Sequence, residues 1–303
     1  MPEIMTQRMA ASSEIDTSGS QSGRKVDFLC IGAQKAGTTW LNEQLLRHAS
    51  VYLPPIKEVH YFNYLFLPKD RGWILSHYER PAIKRTLAAL TDREHPRDWG
   101  AIVYYAHLVE ALKAGHIDDS WYGDVYSLCK GSHRVWGDIT PAYLALPPEG
   151  IRYVHHYNNS LLLLVLLREP VDRAISAAKM IFKRGKVSDP TDEMWRTVIA
   201  GHGILQKSRY AQQMRNWLSV FPERQILVLP YEKISTDAGG VMDEVCDFLA
   251  IARLVHDESL NERVHAGKAF EVPAWVRDWL EEKLSLERNL VIEMFPQFKE
   301  WWP

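Results

Sequence analysis

Residues 26–40 read VDFLCIGAQKAGTTW, and this stretch indicates how the chain folds. Its first half, from Val26 to Ile31, is apolar and β-prone and stops at Gly32, which predicts a strand that is buried on both faces. From Gly37 a helix is predicted to run towards His48. A strand, a glycine-containing loop and a helix in this order form the βα unit on which phosphate sites are commonly built.

The same alternation of strand and helix recurs further along the chain. The run from Leu161 to Leu167 predicts a second buried strand, and Pro170 suits the first turn of the helix after it. Residues 225–229 predict another strand, followed by a helix around 241–249. We therefore predict an α/β fold: a P-loop-like three-layer sandwich with a mostly parallel central sheet and helices on both faces.

The chain is predicted to consist of an N-terminal tail followed by one domain. Residues 1–25 are rich in Ser, Thr, Gln and charge, which predicts a flexible N-terminal tail. Residues 26–303 are interpreted as a single domain with a helical and loop insertion around 64–135, a stretch dense in aromatics. That insertion is either a lid or acceptor wall, or a second helical layer.

Composition excludes several classes of function. The formal charge of −2 argues against a nucleic-acid partner bound through a global positive field. No secretion signal is evident and the longest apolar run is too short to span a bilayer, so we expect a cytoplasmic protein without a membrane partner. Three cysteines without zinc spacing predict no metal site. The oligomeric state cannot be read from the sequence.

The loop between Gly32 and Thr39 resembles a Walker A loop in the spacing of its glycines. However, Thr38 occupies the Walker lysine position, and the lysine lies inside the loop as Lys35. A Walker lysine reaches the β- and γ-phosphates of a nucleoside triphosphate, whereas a lysine within the loop suits a shorter donor with one phosphate and one transferable group. The alternative is a Gly/Thr-rich turn that binds nothing.

Two motifs resemble the donor site of sulfotransferases that use PAPS (3'-phosphoadenosine-5'-phosphosulfate). The first resembles their 5'-phosphosulfate loop and comprises Gln34, Lys35, Ala36, Gly37, Thr38, Thr39 and Trp40. The second is a strand that ends in Arg168 with Ser176 eight residues later, a pair that the family uses to hold the 3'-phosphate. Arginine presents a planar fork of donors to phosphate, and a hydroxyl completes it. The resemblance also implies donor contacts from Arg209, Tyr210 and, more loosely, Lys268.

A third motif, PPIKEVHYF at residues 54–62, resembles the Lys-Glu-x-His-Phe-Phe segment of the branch with glycan and bacterial small-molecule sulfotransferases. The resemblance implies Glu58 as general base on the acceptor, with His60 as runner-up. In an extended chain Glu58 and His60 share a face and Lys57 lies on the other. A semi-buried glutamate with a raised pKa would suit a base. A solvated surface pair of Lys57 and Glu58 is the alternative.

A further segment, residues 137–144, resembles the family's Glu-x-[Ser/Thr]-Pro-x-Tyr stretch with two departures. Asp138 stands where glutamate is common, and Ile139 stands where some glycan-sulfating members carry a catalytic lysine. Lys57 is the candidate to supply that missing charge.

Together the motifs predict an enzyme that moves a sulfuryl group from PAPS, its co-substrate, to a hydroxyl or amine of a small-molecule or carbohydrate acceptor. In-line transfer without a metal would release PAP, the desulfated donor. Lys35 would neutralise the bridging oxygen, which joins the sulfur to the leaving phosphate. Two rivals remain open: a P-loop kinase or NTPase, which Thr38 disfavours, and a non-catalytic PAP(S)-binding module, which the retention of Lys35 and Glu58 disfavours.

Overall fold

The structure is a computed structural model that describes residues 24–91, 99–129, 133–201, 203–257, 260 and 271–302. The predicted flexible tail, apart from its last two residues, and the candidate donor residue Lys268 lie outside the described residues.

A five-stranded sheet runs through the described part of the chain. Its strands are β1 (Phe28–Gly32), β2 (Val51–Tyr52), β3 (Val135–Ile139), β4 (Leu162–Leu167) and β5 (Ile226–Pro230). Their order across the sheet is β2-β3-β1-β4-β5, and each neighbouring pair is parallel. β1 is the central strand, between β3 and β4, and it is buried along its whole length, as expected for a parallel strand whose faces are covered by other elements.

Helices surround this sheet and cover its apolar strands. In the described residues they are α1 (Thr38–Leu46), α2 (Tyr61–Phe66), α3 (Arg71–Thr91), α4 (Trp99–Ala114), α5 (Asp119–Asp124), α6 (Pro148–Tyr157), α7 (Pro170–Arg184), α8 (Asp192–Ala200), α9 (Ile204–Lys207), α10 (Tyr210–Leu218), α11 (Ala238–Phe248) and α12 (Ala274–Met294). The predicted α/β fold with a mostly parallel central sheet is confirmed. No helix among the described residues combines the length and apolar character needed to cross a membrane.

The aromatic-rich stretch at residues 64–135 forms α3, α4 and α5, and α3 packs along α4. Its aromatic side chains are mostly core: Tyr78, Tyr104, Trp121 and Tyr122 are buried. Trp73 differs, because 51% of it is exposed.

Two of the strands, β2 and β3, were not predicted from the sequence. β2 is only two residues long, and β3 has Gly137 and Asp138 at its centre, so neither presents the apolar run by which a buried strand is recognised. Asp138 is nevertheless fully buried inside the sheet.

The strand order determines where a ligand can bind. From β1 the chain crosses to one side of the sheet for β2 and β3, and then to the other side for β4 and β5. In open parallel sheets the crevice at such a reversal, beyond the carboxyl ends of the strands, is where ligands bind. The segments after β1, β3 and β4 therefore meet at the expected site.

We predict that Gly137→Ala destabilises the protein through β3. A Cβ at this position would lie 2.0 Å from Cζ of Phe28, a fully buried ring with no room to withdraw. Overpacking of this kind costs about 1–3 kcal/mol, so the urea midpoint should fall. Gly123→Ala in α5 is the control, because its Cβ would meet nothing within 4 Å. Equal midpoints for the two variants would contradict the prediction.

Candidate functional site

The loop after β1 has a strained, glycine-dependent backbone. Gly37 is the N-cap of α1 with φ 84°, and a Cβ there would lie 2.9 Å from side-chain atoms of Ile234 and Tyr231. The positive φ and the lack of space for a Cβ therefore both require glycine at position 37. Lys35 adopts a left-handed φ of 72°, which is uncommon for a residue with a side chain and is concentrated at functional sites.

Arg173 of α7 holds this loop in place through a hydrogen bond to its backbone. Only 2% of the residue is exposed, and its Nε donates to the Gln34 carbonyl at 3.0 Å. Its Nη1 donates to the Ile204 carbonyl at 2.9 Å and to Ser208 Oγ at 3.3 Å. These acceptors are neutral, so the positive charge of Arg173 stays available to the site. Arg173 was not predicted as a site residue from the sequence, although it lies on the inner face of an amphipathic helix, which was a usable signal.

Several positive charges converge around Lys35. Its pKa is lowered, chiefly by burial and then by repulsion from Arg168, Arg184, Arg173 and Lys183. Like charges held together cost free energy unless an anion lies among them. The arrangement is therefore suited to an anion with several negative charges.

Arg168, directly after β4, belongs to the same cluster. Its guanidinium carbon lies 4.8 Å from the Tyr231 ring centroid, and its buried Nε has no hydrogen-bond partner among the described residues. A buried N–H without a partner is rare in native proteins and marks a place where a ligand atom fits. Tyr210 contacts the backbone of Arg168, since its hydroxyl donates to the Arg168 carbonyl at 3.1 Å.

The other predicted donor residues are distributed around this loop. Thr38 and Trp40 are buried, Thr39 and Ser176 are partly exposed, and Arg209 is exposed. The Trp40 indole donates to the Leu260 carbonyl at 2.9 Å, which indicates a packing role. Ser176 lies on α7, the helix that also carries Arg173.

The segment with the candidate base is not extended, so the predicted separation of Lys57 from Glu58 and His60 was wrong, although Glu58 and His60 do lie side by side. Glu58 and His60 both have left-handed backbones, with φ of 66° and 58°. As a result the chain turns on itself, and Glu58 Oε2 lies 3.2 Å from His60 Nε2. Lys57 is not on the opposite side either, because its Nζ lies 3.4 Å from Glu58 Oε1. The three residues form one half-buried cluster.

A hydrogen bond to Asn63 orients the His60 ring in this cluster. His60 is 1% exposed, and its Nδ1 lies 2.9 Å from Asn63 Oδ1, which can only accept, so Nδ1 carries a hydrogen. Nε2 then faces the Glu58 carboxylate, 3.2 Å from Oε2.

The pKa of Glu58 shifts opposite to the direction that would suit a general base. Burial alone would raise it, but His60 and Lys57 together outweigh burial and lower the pKa to about 2. The pKa is lowered because the turn brings His60 and Lys57 onto the carboxylate. Glu58 is ionised at neutral pH.

Asp138 supports the base segment from inside the sheet. Its Oδ1 accepts from Thr140 Oγ1 at 2.6 Å, and its Oδ2 accepts from Tyr122 and Tyr143 at 2.9 and 2.8 Å. Thr140 Oγ1 in turn accepts from the His60 backbone N–H at 3.4 Å. Burial raises the pKa of Asp138, although these hydrogen bonds oppose the rise. Asp138 is therefore a structural anchor that the sequence motif did not reveal.

Lys207 provides a further positive charge that the sequence analysis missed. Although Lys207 keeps an exposed surface, its pKa is lowered, chiefly by partial desolvation and then by Arg173, while Asp70 and Glu58 oppose the change. The Lys207 ammonium is thus within electrostatic range of both the donor-side arginine and the candidate base. Ile139, at the position of the family's lysine, is buried in β3.

Comparison with known proteins agrees with this geometry. The model of the Sulfotransferase family matches residues 27–255. Mouse heparan sulfate glucosamine 3-O-sulfotransferase 6 is 31% identical over 133 residues, which are 39% of this chain and 36% of that protein. Human heparan sulfate glucosamine 3-O-sulfotransferase 3B1 is 27% identical over 145 residues, 46% of this chain and 37% of that protein. The chain thus matches little more than a third of the length of these relatives.

Among solved structures, a sulfotransferase from Alicyclobacillus acidocaldarius superimposes with a TM-score of 0.61. It is 21% identical, and the alignment covers 89% of this chain and 96% of that one. This likeness concerns the fold. Because the family match extends over about three quarters of the chain and includes both loops of the site, the protein belongs to the sulfotransferase family.

Proposed function

We propose that this protein transfers a sulfuryl group from PAPS to a hydroxyl or amine of a small-molecule or carbohydrate acceptor. One observation carries the proposal: a cluster of positive charges at a helix N-terminus shares a sheet edge with a half-buried, ionised carboxylate. β1 connects the two, since Thr140 N–H donates to the Cys30 carbonyl at 3.1 Å and the loop of Lys35 begins where β1 ends.

The residues on the donor side fit a nucleotide with two separate anionic groups. The N–H groups at the start of α1, with the Thr38 and Thr39 hydroxyls, form a cradle for the 5'-phosphosulfate. Arg168, whose buried Nε lacks a partner among the described residues, is proposed to hold the 3'-phosphate together with Ser176. Lys35 would neutralise the bridging oxygen as the bond to sulfur breaks. Because these groups supply the positive charge, the proposed reaction needs no metal.

On the acceptor side Glu58 is proposed to take the proton. The acceptor oxygen or nitrogen forms its bond to sulfur while the bond from sulfur to the phosphate oxygen breaks, which leaves PAP. A carboxylate with so low a pKa is a weak base, so it receives the proton late, when the forming bond has acidified the acceptor. His60 and Lys57 would hold the carboxylate in place.

We predict that PAP binds to the wild type and that Arg168→Ala weakens this binding about 10- to 100-fold, because charge-assisted hydrogen bonds to phosphate are lost. Isothermal titration calorimetry measures both affinities, with ATP as the competing nucleotide. Arg152→Ala on the exposed side of α6 should bind PAP like the wild type. Absence of PAP binding, or ATP binding of equal strength, would contradict the proposed donor and favour a P-loop kinase or NTPase instead.

We predict that Lys35→Ala lowers turnover of PAPS by about 10²–10³-fold, the loss typical of one preorganised donor. The measurement is PAP release with the best acceptor from a panel of phenols and sugars. Lys186→Ala is a matched control, because Lys186 is exposed and has a similar left-handed φ of 56°. Unchanged turnover in Lys35→Ala would refute its role at the leaving oxygen.

We predict that Glu58→Gln lowers turnover by about 10²–10⁴-fold, the contribution of general base catalysis, without changing the affinity for PAP. Kinetics and calorimetry on one preparation separate the two effects. Glu149→Gln, an exposed residue at the start of α6, serves as control. If instead His60→Gln abolishes turnover while Glu58→Gln keeps it, His60 is the base.

A further inference from the structure

Trp73 is the exposed aromatic side chain beside the candidate base. Half of it is exposed, while its neighbours Tyr61, Phe62 and Tyr78 are buried. Its ring centroid lies only 4.7 Å from that of His60, edge to face at 85°. A single imidazole ring therefore separates the indole from the Glu58 carboxylate.

The start of α3, which carries Trp73, is held firmly against its surroundings. Arg71 Nε donates to the Tyr64 carbonyl at 2.9 Å, and its guanidinium lies 4.9 Å from the Tyr64 ring centroid. One turn beyond Trp73, the Tyr78 hydroxyl donates to the Val59 carbonyl at 2.9 Å. These contacts set the position of the indole relative to Glu58 before any acceptor arrives.

His77 connects the indole to the base segment. Its ring lies nearly parallel to the Trp73 indole, at 14° with 5.5 Å between centroids. Its Nε2 lies 3.0 Å from the Lys57 carbonyl and 2.9 Å from the Glu58 carbonyl. Both are acceptors, so Nε2 carries a hydrogen and donates to the turn that presents Glu58. The pKa of His77 is lowered by burial and then by His60, which favours the neutral ring.

A rigid indole with an open surface is suited to contact with a second flat ring. Aromatic side chains combine a large apolar area with a preference for stacked or edge-to-face partners. Ligand pockets place such apolar surfaces beside a few polar groups that orient the reacting atom. Here the polar groups are the carboxylate of Glu58 and the ammonium of Lys57.

We propose that Trp73 is the platform for the acceptor, which carries its reactive hydroxyl on a six-membered ring that stacks against the indole. This inference rests on the proposed sulfuryl transfer, because it places the ring next to Glu58. Two kinds of ring share the necessary flat face: an aromatic ring, as in a phenol, and the C–H face of a pyranose. Trp73 would then select acceptors by shape, and Glu58 would act on the hydroxyl at the edge of the ring.

The test compares three acceptor probes with PAPS at saturation: 2-naphthol, methyl β-D-glucopyranoside and the linear alcohol 1-hexanol. In Trp73→Ala the KM of the accepted ring probe should rise about tenfold or more, with a smaller change in kcat. Trp73→Phe should fall between Trp73→Ala and the wild type, and 1-hexanol should not discriminate among the three proteins. Whichever ring probe responds identifies the source of the ring. Leu286→Ala on α12 is the control, because this apolar residue is even more exposed than Trp73, at 69%.

Saturation-transfer NMR in the presence of PAP reports contact with the ring probes independently of turnover. Transfer to one ring probe in the wild type, lost in Trp73→Ala, supports the platform. No transfer to either ring probe, or equal transfer in Trp73→Ala, overturns it. Equal losses of kcat for ring and linear probes would also overturn it, since they indicate that Trp73 merely shields His60. Calorimetry with PAP separates the two proposals. If the wild type binds PAP but the ring probes do not respond to Trp73→Ala, only the proposal for Trp73 fails. If the wild type does not bind PAP, the proposed donor is refuted.

Discussion

The buried guanidinium of Arg173 is the interaction on which the donor side of the site depends. It joins the loop after β1 to α7 and to the segment before α10 through three hydrogen bonds to neutral acceptors. A loop with left-handed Lys35 and Gly37 is not stable by itself, and such strain persists only where surrounding contacts over-determine the backbone. Arg173 supplies those contacts and also adds positive charge to the cluster.

The acceptor side has a corresponding anchor of opposite charge. Asp138, fully buried in β3, is satisfied by three hydroxyl donors, one of which also receives the His60 backbone N–H. A buried carboxylate without these partners would be very costly, so the network must form as a unit. The two anchors lie on neighbouring structural elements, since β3 pairs with β1 and β1 leads into the loop of Lys35. The parallel sheet thereby holds a positive and a negative centre at one edge.

The helices α3, α4 and α5 extend this arrangement outward. α3 fastens to the base segment through His77 and Tyr78, and it presents Trp73 to solvent at the same place. The aromatic density of residues 64–135 therefore has two meanings. Most of those rings fill the layer between α3, α4, α5 and the sheet, and one stands beside the candidate base. Composition alone could not separate the two, because a core ring and a ligand-facing ring are the same residue type.

From the sequence alone, strands β1, β4 and β5, the helices that follow them, the loop with Lys35 and the position of Arg168 at the end of a strand could be predicted. Those features are local: they depend on apolar runs, glycine position and a motif at a strand end. Tertiary structure alone decided how charges meet. The roles of Arg173, Asp138 and Lys207 arise from contacts between residues distant in the chain. The lowered pKa of Glu58 comes from its near neighbours His60 and Lys57, which meet the carboxylate because the folded backbone turns at Glu58 and His60. Electrostatic energy depends on separation in space and on burial, and neither quantity is written in the local pattern of residues.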